Sequence, residues 1–496
     1  MNWKNVLCVY PYRTDPLFRF WRIPPIGLEI VASAIKPLVD NVEIIDMRFE
    51  DDAKPYIKDK DLICFSLNWG NPKAIGGSSK FDLEFVFNTI NSVPKGKTVV
   101  AGGRFATDYA DMLLKELPRI DVIIRGYGED PMIELFKKGS PAGIEGISYR
   151  DGDKIIHNKD RNQLIITGTY PDRSLRKYRY TALSMGVDSI YASQGCPFKC
   201  IYCEFTEKKW LSRSAESIIE ELKTMDEDVE IVFFTDNNVF HDMDRMDKLC
   251  DAIKREGIKK KYLAQCRVES LVKRPDVIKK LGETGFLIGV GIESFNEDVL
   301  RWLKKGYRPD LIWQAFENVR KTDILALGFF IIGNYKETRE DMLRTADLAK
   351  KAGLDFINIS RLLCYPKTEL YSIMSKLPDY HIDENRNIVY SDYYSIKDLS
   401  KIRKAINRRF YSPLHLLRTF SRFSYHFNVL RVLRQMTLEI ILRGVFKNGR
   451  WIDRFLYLTN KYNIFYPIDF VFNTILKAGG RLLDRIASRK ALHIAN

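Results

Sequence analysis

Two series of short apolar runs, each interrupted by amphipathic helical patterns, limit the fold of this sequence more than any other feature. The first series reads NVLCVY, VEIID, LICFS, TVVAGG and DVIIRG over residues 1 to 140. The second reads DSIYAS, VEIVFFT, KYLAQCR, FLIGVGIE, ALGFFIIG and LDFINISR over residues 186 to 380. Apolar runs that alternate with helices are typical of buried parallel strands joined by crossover helices. The sequence therefore predicts an α/β protein with two successive sheets.

The first series predicts a Rossmann-like, doubly wound sheet. Ligands of such sheets bind beyond the carboxyl ends of the strands. Because no GxGxxG fingerprint follows the first strand, the sheet is a poor match for a nicotinamide or flavin dinucleotide. The candidate ligand-binding residues at the strand ends are Tyr12, Asp46, Asn68, Gly102, Gly103, Gly126 and Gly128. The four glycines are explained equally well as ordinary turn residues.

The second series predicts a (β/α)6 partial barrel. An eight-unit barrel usually needs ~250 residues, and this series has six units in a shorter stretch. Catalytic residues of such barrels lie at the C-terminal ends of the strands. Residues 141–185 contain a hairpin-like segment and a proline-bearing connector, so we predict that they link the two domains.

Three cysteines follow the first predicted barrel strand, in the segment YASQGCPFKCIYCEF. Cys196, Cys200 and Cys203 supply three thiolates, whereas a structural zinc site normally closes with four protein ligands. The nearest histidine, His241, lies far along the chain. An iron-sulfur cube held by three cysteines leaves one iron open to a substrate or cofactor. The alternative is a chance grouping of structural cysteines, which do not need this spacing.

The CxxxCxxC spacing, with Tyr202 just before the last cysteine, resembles the signature of the radical S-adenosylmethionine (SAM) superfamily. The resemblance continues through the segments FFTDNNVF, AQCRVES, GVGIESF and CYPKTELY. Upstream, PPIGLEIVASAI, VVAGGRFAT and DVIIRGYGE resemble the cobalamin-binding domain of one branch of that superfamily. This branch includes anaerobic magnesium-protoporphyrin monomethyl ester cyclase and enzymes that modify hopanoids and other lipids.

The resemblance implies three cofactors and an electron source. The cysteines would hold one 4Fe-4S cluster, SAM would bind its open iron, and reductive cleavage of SAM would give a 5'-deoxyadenosyl radical. A low-potential donor of the flavodoxin or ferredoxin type would supply the electron. By position, the SAM-contacting residues would be Tyr202, Thr235, Asp236, Asn237, Arg267, Glu269, Glu293 and Ser294. For each residue after Tyr202, an ordinary strand-end cap or ion pair is an equal alternative.

The resemblance also implies cobalamin bound to the first domain. All six histidines (157, 241, 381, 415, 426 and 493) lie outside residues 1 to 140. We therefore predict cobalamin that has no histidine ligand from this domain.

Cysteine usage and the chain start predict a cytoplasmic location. Cys8, Cys64, Cys250, Cys266 and Cys364 are isolated from one another, which is not the spacing of a disulfide framework. The first residues show no signal-peptide pattern, and no apolar run reaches the ~18 residues needed to span a bilayer.

The basic charge is concentrated at the end of the chain, in a predicted helical extension over residues 381–496. The net charge of the protein is +15, and residues 401–496 contain 19 lysine and arginine residues against four acidic ones. Arg418, Arg422, Arg434 and Arg443 interleave with apolar residues at helical spacing, which is the pattern of a basic amphipathic helix. Such a helix lies on an anionic membrane or packs as a cap on the barrel. No nucleic-acid-reading motif is present.

These patterns predict a cobalamin-dependent radical SAM enzyme that modifies an unactivated carbon of a hydrophobic, lipid-like substrate. C-methylation is the leading reaction. The alternative is a radical cyclisation or carbon-carbon coupling, as in the tetrapyrrole relatives. An alternative of another class is a membrane-associated binding protein in which the cluster is structural.

Overall fold

The computed structural model describes residues 3–13, 21–68, 83–161, 170–182, 185–203, 209–446, 469 and 471–478. It contains two compact units. Unit 1 comprises Met1–Ser189, Thr224–Asp228 and Leu438–Leu458, and unit 2 comprises Ile190–Lys223, Val229–Thr437 and Thr459–Asn496.

The strands of unit 1, including one that ends at the unit boundary, are β1 Asn5–Tyr10, β2 Trp21–Arg22, β3 Asn41–Asp46, β4 Leu62–Ser66, β5 Thr98–Gly102, β6 Val122–Ile124, β7 Ile147–Asp151, β8 Lys154–His157, β9 Thr181–Ala182 and β10 Met185–Ile190. The later strands are β11 Ser193–Gly195, β12 Trp210–Ser212, β13 Val229–Phe234, β14 Lys261–Arg267, β15 Phe286–Glu293, β16 Ala326–Ile332, β17 Phe356–Arg361, β18 Tyr380–Asp383 and β19 Ile388–Ser391.

The helices up to residue 302 are α1 Ile26–Ile35, α2 Lys54–Ile57, α3 Leu83–Asn91, α4 Arg104–Asp108, α5 Ala110–Glu116, α6 Glu129–Lys138, α7 Ala215–Lys223, α8 Met243–Arg255, α9 Ser270–Lys273, α10 Pro275–Thr284 and α11 Glu297–Trp302. The remaining helices are α12 Pro309–Arg320, α13 Arg339–Ala352, α14 Glu369–Met374, α15 Ile396–Phe410, α16 Pro413–His426 and α17 Val429–Phe446. Residues 471–478 are also helical.

Unit 1 is built on a seven-stranded sheet in the order β3-β1-β4-β5-β6-β7-β8. The strands β3, β1, β4, β5 and β6 are parallel, and all five were predicted from their apolar runs. The strand order reverses between β1 and β4, where open sheets of this kind bind ligands. The predicted hairpin is confirmed as β7 and β8, which pair antiparallel and continue the sheet beyond β6.

Unit 2 contains the parallel strands β13 to β17, each paired with the next in chain order. The end of β13 is tied to Ile190, because both the backbone N–H and the hydroxyl of Thr235 donate to the Ile190 carbonyl. Crossover helices end at glycines in left-handed conformation, with φ of 98° at Gly285 after α10 and 88° at Gly353 after α13. Only glycine adopts such angles without strain, so these positions stop the helices and start the next strand. The α/β class and partial barrel predicted from the sequence are confirmed.

Three consecutive helices, α15, α16 and α17, follow the barrel. Ser395 opens α15 with a capping box, and Pro413 opens α16 at a position where a helix tolerates proline. No helix within the described residues is both long and apolar enough to cross a membrane. Of the predicted extension, residues 447–468, 470 and 479–496 lie outside the described part of the chain, as does the side chain of Arg443.

Candidate functional site

The three cysteines lie on a loop after β11. Ile201, which follows Cys200, connects this loop to the core. Cys196, Cys200 and Cys203 are half-buried and unpaired by disulfides. Ile201 is buried, its N–H donates to the Leu303 carbonyl at 3.2 Å, and its carbonyl accepts from Leu370 N at 3.0 Å. Because backbone contacts hold Ile201 on both sides, the flanking thiols are presented from a fixed loop.

The described residues contain no three His, Cys, Asp or Glu side chains that converge as ligands of a single metal ion. The cysteines of a four-iron cube need not converge on one point, since each binds a different iron. Three cysteines outside disulfides on one loop therefore fit such a cube.

Arg267, at the end of β14, connects the cysteine loop to the barrel. Its Nη1 lies 3.2 Å from Cys200 Sγ, and its guanidinium carbon lies 3.7 Å from the centre of the Phe198 ring. Two of its nitrogens donate to the Glu269 carboxylate, the shorter contact being 2.6 Å, and it also donates to the Lys305 carbonyl. The guanidinium is thus a buried cation that donates to one of the three sulfurs.

Glu293, Tyr202 and Lys305 form a second buried polar group beside the same loop. Tyr202 Oη donates to Glu293 Oε1 at 2.9 Å, and Lys305 Nζ lies 3.1 Å from the same oxygen. Burial of its hydroxyl raises the pKa of Tyr202 well above the usual value, and the charges on Glu293 and Cys200 raise it further. Lys305 was missed in the sequence, where it is one of two adjacent lysines that nothing distinguishes.

The backbone at Glu293 is strained. Its φ is 67°, and the register between β15 and β16 shifts between Gly291 and Glu293. A residue with a side chain pays a conformational cost in this left-handed region, and such strain is concentrated at functional sites. The bulge and the ion pair with Lys305 hold the carboxylate in place at the strand end.

The carboxylate of Asp236, which was predicted to contact SAM, is hydrogen-bonded to groups of the protein itself. Its carboxylate accepts hydrogen bonds from the Ser193 hydroxyl and from Ala192 N, the latter at 3.2 Å. Burial raises the pKa of Asp236 to about 6, although these hydrogen bonds and Arg245 oppose the rise. The structure therefore places Asp236 where it positions the strand that leads into the cysteine loop.

Two buried amide side chains near Asp236 have atoms without a hydrogen-bond partner in the described part of the chain. Asn238 is 1% exposed, and neither atom of its amide has a hydrogen-bond partner within the described residues. Gln194, two residues before Cys196, is 4% exposed, and its Oε1 is also unpartnered there. A buried amide without a partner is costly, so these side chains are suited to a polar ligand. Both were missed, and in the case of Asn238 the run TDNN does not show which of its side chains is buried.

The other predicted SAM residues divide between exposed and locally engaged positions. Asn237 is exposed, and Thr235 donates to the Ile190 carbonyl. Ser294 accepts from Asn296 N at 3.1 Å, which is an ordinary turn contact before α11. Arg267, Glu269, Glu293 and Tyr202 are the predicted residues that the structure brings together around Cys200.

In unit 1, predicted cobalamin residues lie near the point where the strand order reverses. Tyr12 follows β1 and is buried, and Asn68 follows β4. The side chain of Asn68 donates to the Ser66 hydroxyl at 3.0 Å and lies 3.3 Å from Arg104 N. Asp46 is fully buried, and its carboxylate is held by Arg48 with a shortest distance of 2.6 Å.

The four glycines of unit 1 that were predicted to bind cobalamin differ in the space around them. Gly103 has φ of 101°, and a β-carbon there would lie 2.6 Å from Asn68 Oδ1 and 2.8 Å from the Leu67 carbonyl. Gly126 also has a positive φ, but a β-carbon there would meet no atom within 4 Å. A β-carbon at Gly102 would make only ordinary contacts, and one at Gly128 would lie 3.0 Å from Val31. Gly103 is thus required by close packing, whereas Gly126 leaves open space at the strand ends.

The comparisons with known proteins agree with this arrangement. Residues 190–349 match the model of the radical SAM superfamily, which covers the cysteine loop and β13 to β16. An uncharacterized methyltransferase of Pyrococcus horikoshii is 30% identical over 377 residues, which are 71% of this chain and 79% of that protein. The chain belongs to the radical SAM superfamily. It is therefore an enzyme, in the branch whose members join a cobalamin-binding domain to the radical barrel.

A second relative and one solved structure belong to the same branch. The hopanoid C-3 methylase of Methylococcus capsulatus is 25% identical and aligns with 75% of this chain and 73% of its own length. The radical SAM methyltransferase TsrM of Kitasatospora setae, solved with cobalamin and a [4Fe-4S] cluster, superposes with a TM-score of 0.65. At 17% identity, over 77% of this chain and 80% of that one, the similarity to TsrM establishes the fold.

Proposed function

We propose that this protein is a cobalamin-dependent radical SAM enzyme that C-methylates a hydrophobic, lipid-like substrate. The observation that carries the proposal is the set of three cysteines outside disulfides on one loop, with a buried arginine donating to one sulfur. When bound, the cluster and SAM would supply a carbon-centred radical, and cobalamin would supply a methyl group.

The protein's own residues would bind and orient these groups. Cys196, Cys200 and Cys203 would hold the cluster, and Tyr202 and Glu293 would contact SAM beside it. Asn238 and Gln194 are further candidates, because the whole amide of Asn238 and the Oε1 atom of Gln194 are buried without partners in the described structure. Of the other predicted contacts, Thr235, Asp236 and Ser294 are engaged locally, so we assign these three a positioning role. Arg267 and Glu269 would lie beside the cluster, and the exposed Asn237 is assigned no role.

We assign cobalamin to residues 1–140 and the radical chemistry to residues 186–380. Tyr12, Asn68, Gly102, Gly103, Gly126 and Gly128 would line the cobalamin site. Asp46 would act indirectly, because Arg48 occupies its carboxylate. No histidine of this domain is available to the cobalt.

The lipid-like substrate is supported by the hopanoid C-3 methylase among the relatives and by exposed apolar residues near the C-terminus. A superfamily member also needs a reductant, which we expect to be a flavodoxin- or ferredoxin-type protein. We expect the enzyme to meet its substrate at an anionic membrane surface.

The test is anaerobic reconstitution with iron and sulfide, followed by reduction in the presence of SAM. We expect 5'-deoxyadenosine from the intact protein and none from Cys200→Ala. Cys250→Ala, which changes an isolated cysteine in α8, should retain the product. Equal product from Cys200→Ala and the intact protein would refute the cluster assignment, and no product from the intact protein would favour a binding protein.

Radiolabelled methyl-SAM and a bacterial lipid extract then test the reaction. Label in the lipid fraction is the expected result. Loss of hydrogen from a substrate without gain of label would instead indicate cyclisation or coupling.

A further inference from the structure

The helix α16 is inverted relative to an ordinary surface helix. Its buried residues are polar: His415, Thr419, Ser421 and Ser424. Its outward face carries Leu414, Leu417 and Phe420, which are 67%, 49% and 39% exposed. A surface helix normally buries the apolar stripe and exposes the polar one. The outward face of α16 is therefore built to be covered by something other than this barrel.

The inward face is fixed by specific polar contacts. Arg422 Nε lies 2.6 Å from Asp355 Oδ1, and Arg422 also donates to the Ile324 carbonyl at 2.7 Å. Thr419 donates to the Asp355 carbonyl at 3.2 Å. Because these contacts require the polar face to point inward, the helix cannot rotate to bury its leucines without breaking them.

The apolar exposure continues onto neighbouring elements of unit 2. Asn473, in the helical segment 471–478, bonds both the Ser424 carbonyl and Val429 N, so this segment lies at the junction of α16 and α17. Its Val471 and Ile475 are 57% and 63% exposed. Of fourteen exposed large apolar residues in the described chain, ten lie between residues 414 and 475, so this exposure is concentrated in the last part of the sequence.

Cations accompany the apolar residues. Lys477 Nζ lies 5.7 Å from the centre of the Tyr425 ring, and Tyr425 is itself exposed. Lys404 and Arg408 are exposed on α15. Residues 401–496 carry a net charge equal to that of the whole protein, +15. Leucine and phenylalanine beside lysine and tyrosine match the apolar boundary and anionic headgroups of a lipid bilayer.

We infer that the outward face of α16, formed by Leu414, Leu417 and Phe420, inserts into the interface of an anionic bilayer. Insertion of these apolar side chains provides the salt-resistant part of binding, and the cations of the tail add a salt-sensitive part. The inference rests on the proposed function in one respect, that a lipid-like substrate is met at such a surface.

The test uses the full chain and flotation with vesicles of phosphatidylglycerol and phosphatidylcholine, at low and high salt. The variant Leu414→Ser/Leu417→Ser/Phe420→Ser removes the proposed face. The control Leu38→Ser/Leu211→Ser/Tyr393→Ser replaces three other exposed apolar residues. We expect the first variant to bind at least tenfold more weakly at high salt, and the control to bind like the intact protein.

Equal binding by the two variants, or no binding by the intact protein, overturns the inference. A concentration-dependent dimer that the first variant abolishes, without vesicle binding, assigns the face to a second copy and also overturns it. If the triple variant does not fold, Leu414→Ser and Leu417→Ser are tested singly, since both residues are largely exposed. Formation of 5'-deoxyadenosine is measured in parallel, because vesicle binding without that product would refute the proposed function and leave this inference standing.

Discussion

Replacing Arg422 by methionine tests whether the inward face of α16 is anchored by a buried charge. Arg422 is 15% exposed and Asp355 3% exposed, and their charged atoms are 2.6 Å apart. Removing one partner of a buried ion pair typically costs about 3–5 kcal/mol, because the other charge remains buried and unpaired. Since 1.4 kcal/mol is a factor of ten, amides of α16 should exchange with deuterium at least about a hundredfold faster. Hydrogen exchange followed by mass spectrometry measures this directly.

The matched control is Arg301→Met. Arg301 pairs with Asp298, but the two side chains are 71% and 86% exposed, and exposed pairs contribute about 0–1 kcal/mol. A second control, Asp355→Asn added to Arg422→Met, removes the unpaired charge and keeps a side-chain oxygen that accepts from Ala326 N, so it should restore most of the protection.

The pH dependence of the Arg422→Met effect has a definite sign. Burial raises the pKa of Asp355, and Arg422 opposes that rise. Without Arg422 the folded-state pKa should rise further above the unfolded value, so the variant binds a proton more readily when folded. The protein should therefore lose more stability from this substitution at pH 8 than at pH 5. An effect no larger than that of Arg301→Met, or one that grows toward acid pH, would refute the reasoning.

Four further outcomes are expected. Arg267→Leu should lower the reduction potential of the reconstituted cluster, because it removes a cation that donates to Cys200. Redox titration monitored by electron paramagnetic resonance measures the potential, and an unchanged value contradicts this role. Asn238→Ala should weaken SAM binding about five- to tenfold in calorimetry while Asn237→Ala leaves it unchanged, and equal effects would remove Asn238 from the site. Cob(II)alamin bound to the protein should show no nitrogen splitting of its cobalt lines, and clear splitting would reveal a nitrogen ligand. Burial and nearby cations lower the pKa of His426 to about 4, so the stability that neutral His426 contributes should be lost as pH falls from about 6.5 to 4. The melting temperature of His426→Gln should therefore depend less on pH over that range.

The sheets and the cysteine loop were predictable from the sequence because each depends on local pattern. The apolar runs marked the strands of both sheets, and the spacing of three cysteines specified their chemistry. The partners at the strand ends depend instead on which way each side chain turns. Asp236, a predicted SAM contact, accepts a hydrogen bond from Ser193, and the buried amide without a partner in the described residues belongs to Asn238, two positions further on.

For the C-terminal helices too, the sequence pattern did not show which way the side chains face. The spacing of Arg418 and Arg422 indicated a basic face and left open whether it met lipid or the barrel. The structure pairs Arg422 with Asp355 and Arg434 with Asp469, so these cations face acids of the protein itself. Helical periodicity distinguishes the polar face of a helix from the apolar face. It does not show which face is exposed to solvent when a buried carboxylate such as Asp355 can pair with an arginine of the polar face.

The β7–β8 hairpin also protects the sheet of unit 1 from other polypeptides. A sheet edge with unpaired backbone groups is a template for strand addition and aggregation. Here the outermost strand beyond β6 is β8, which has four residues, follows a turn with Gly152 at a φ of 58°, and carries exposed Lys154 and His157 at its two ends. A short edge bounded by polar, chargeable side chains disfavours pairing with a second chain, so deletion of the hairpin should make the protein prone to aggregate during refolding even if its cofactor sites are unchanged.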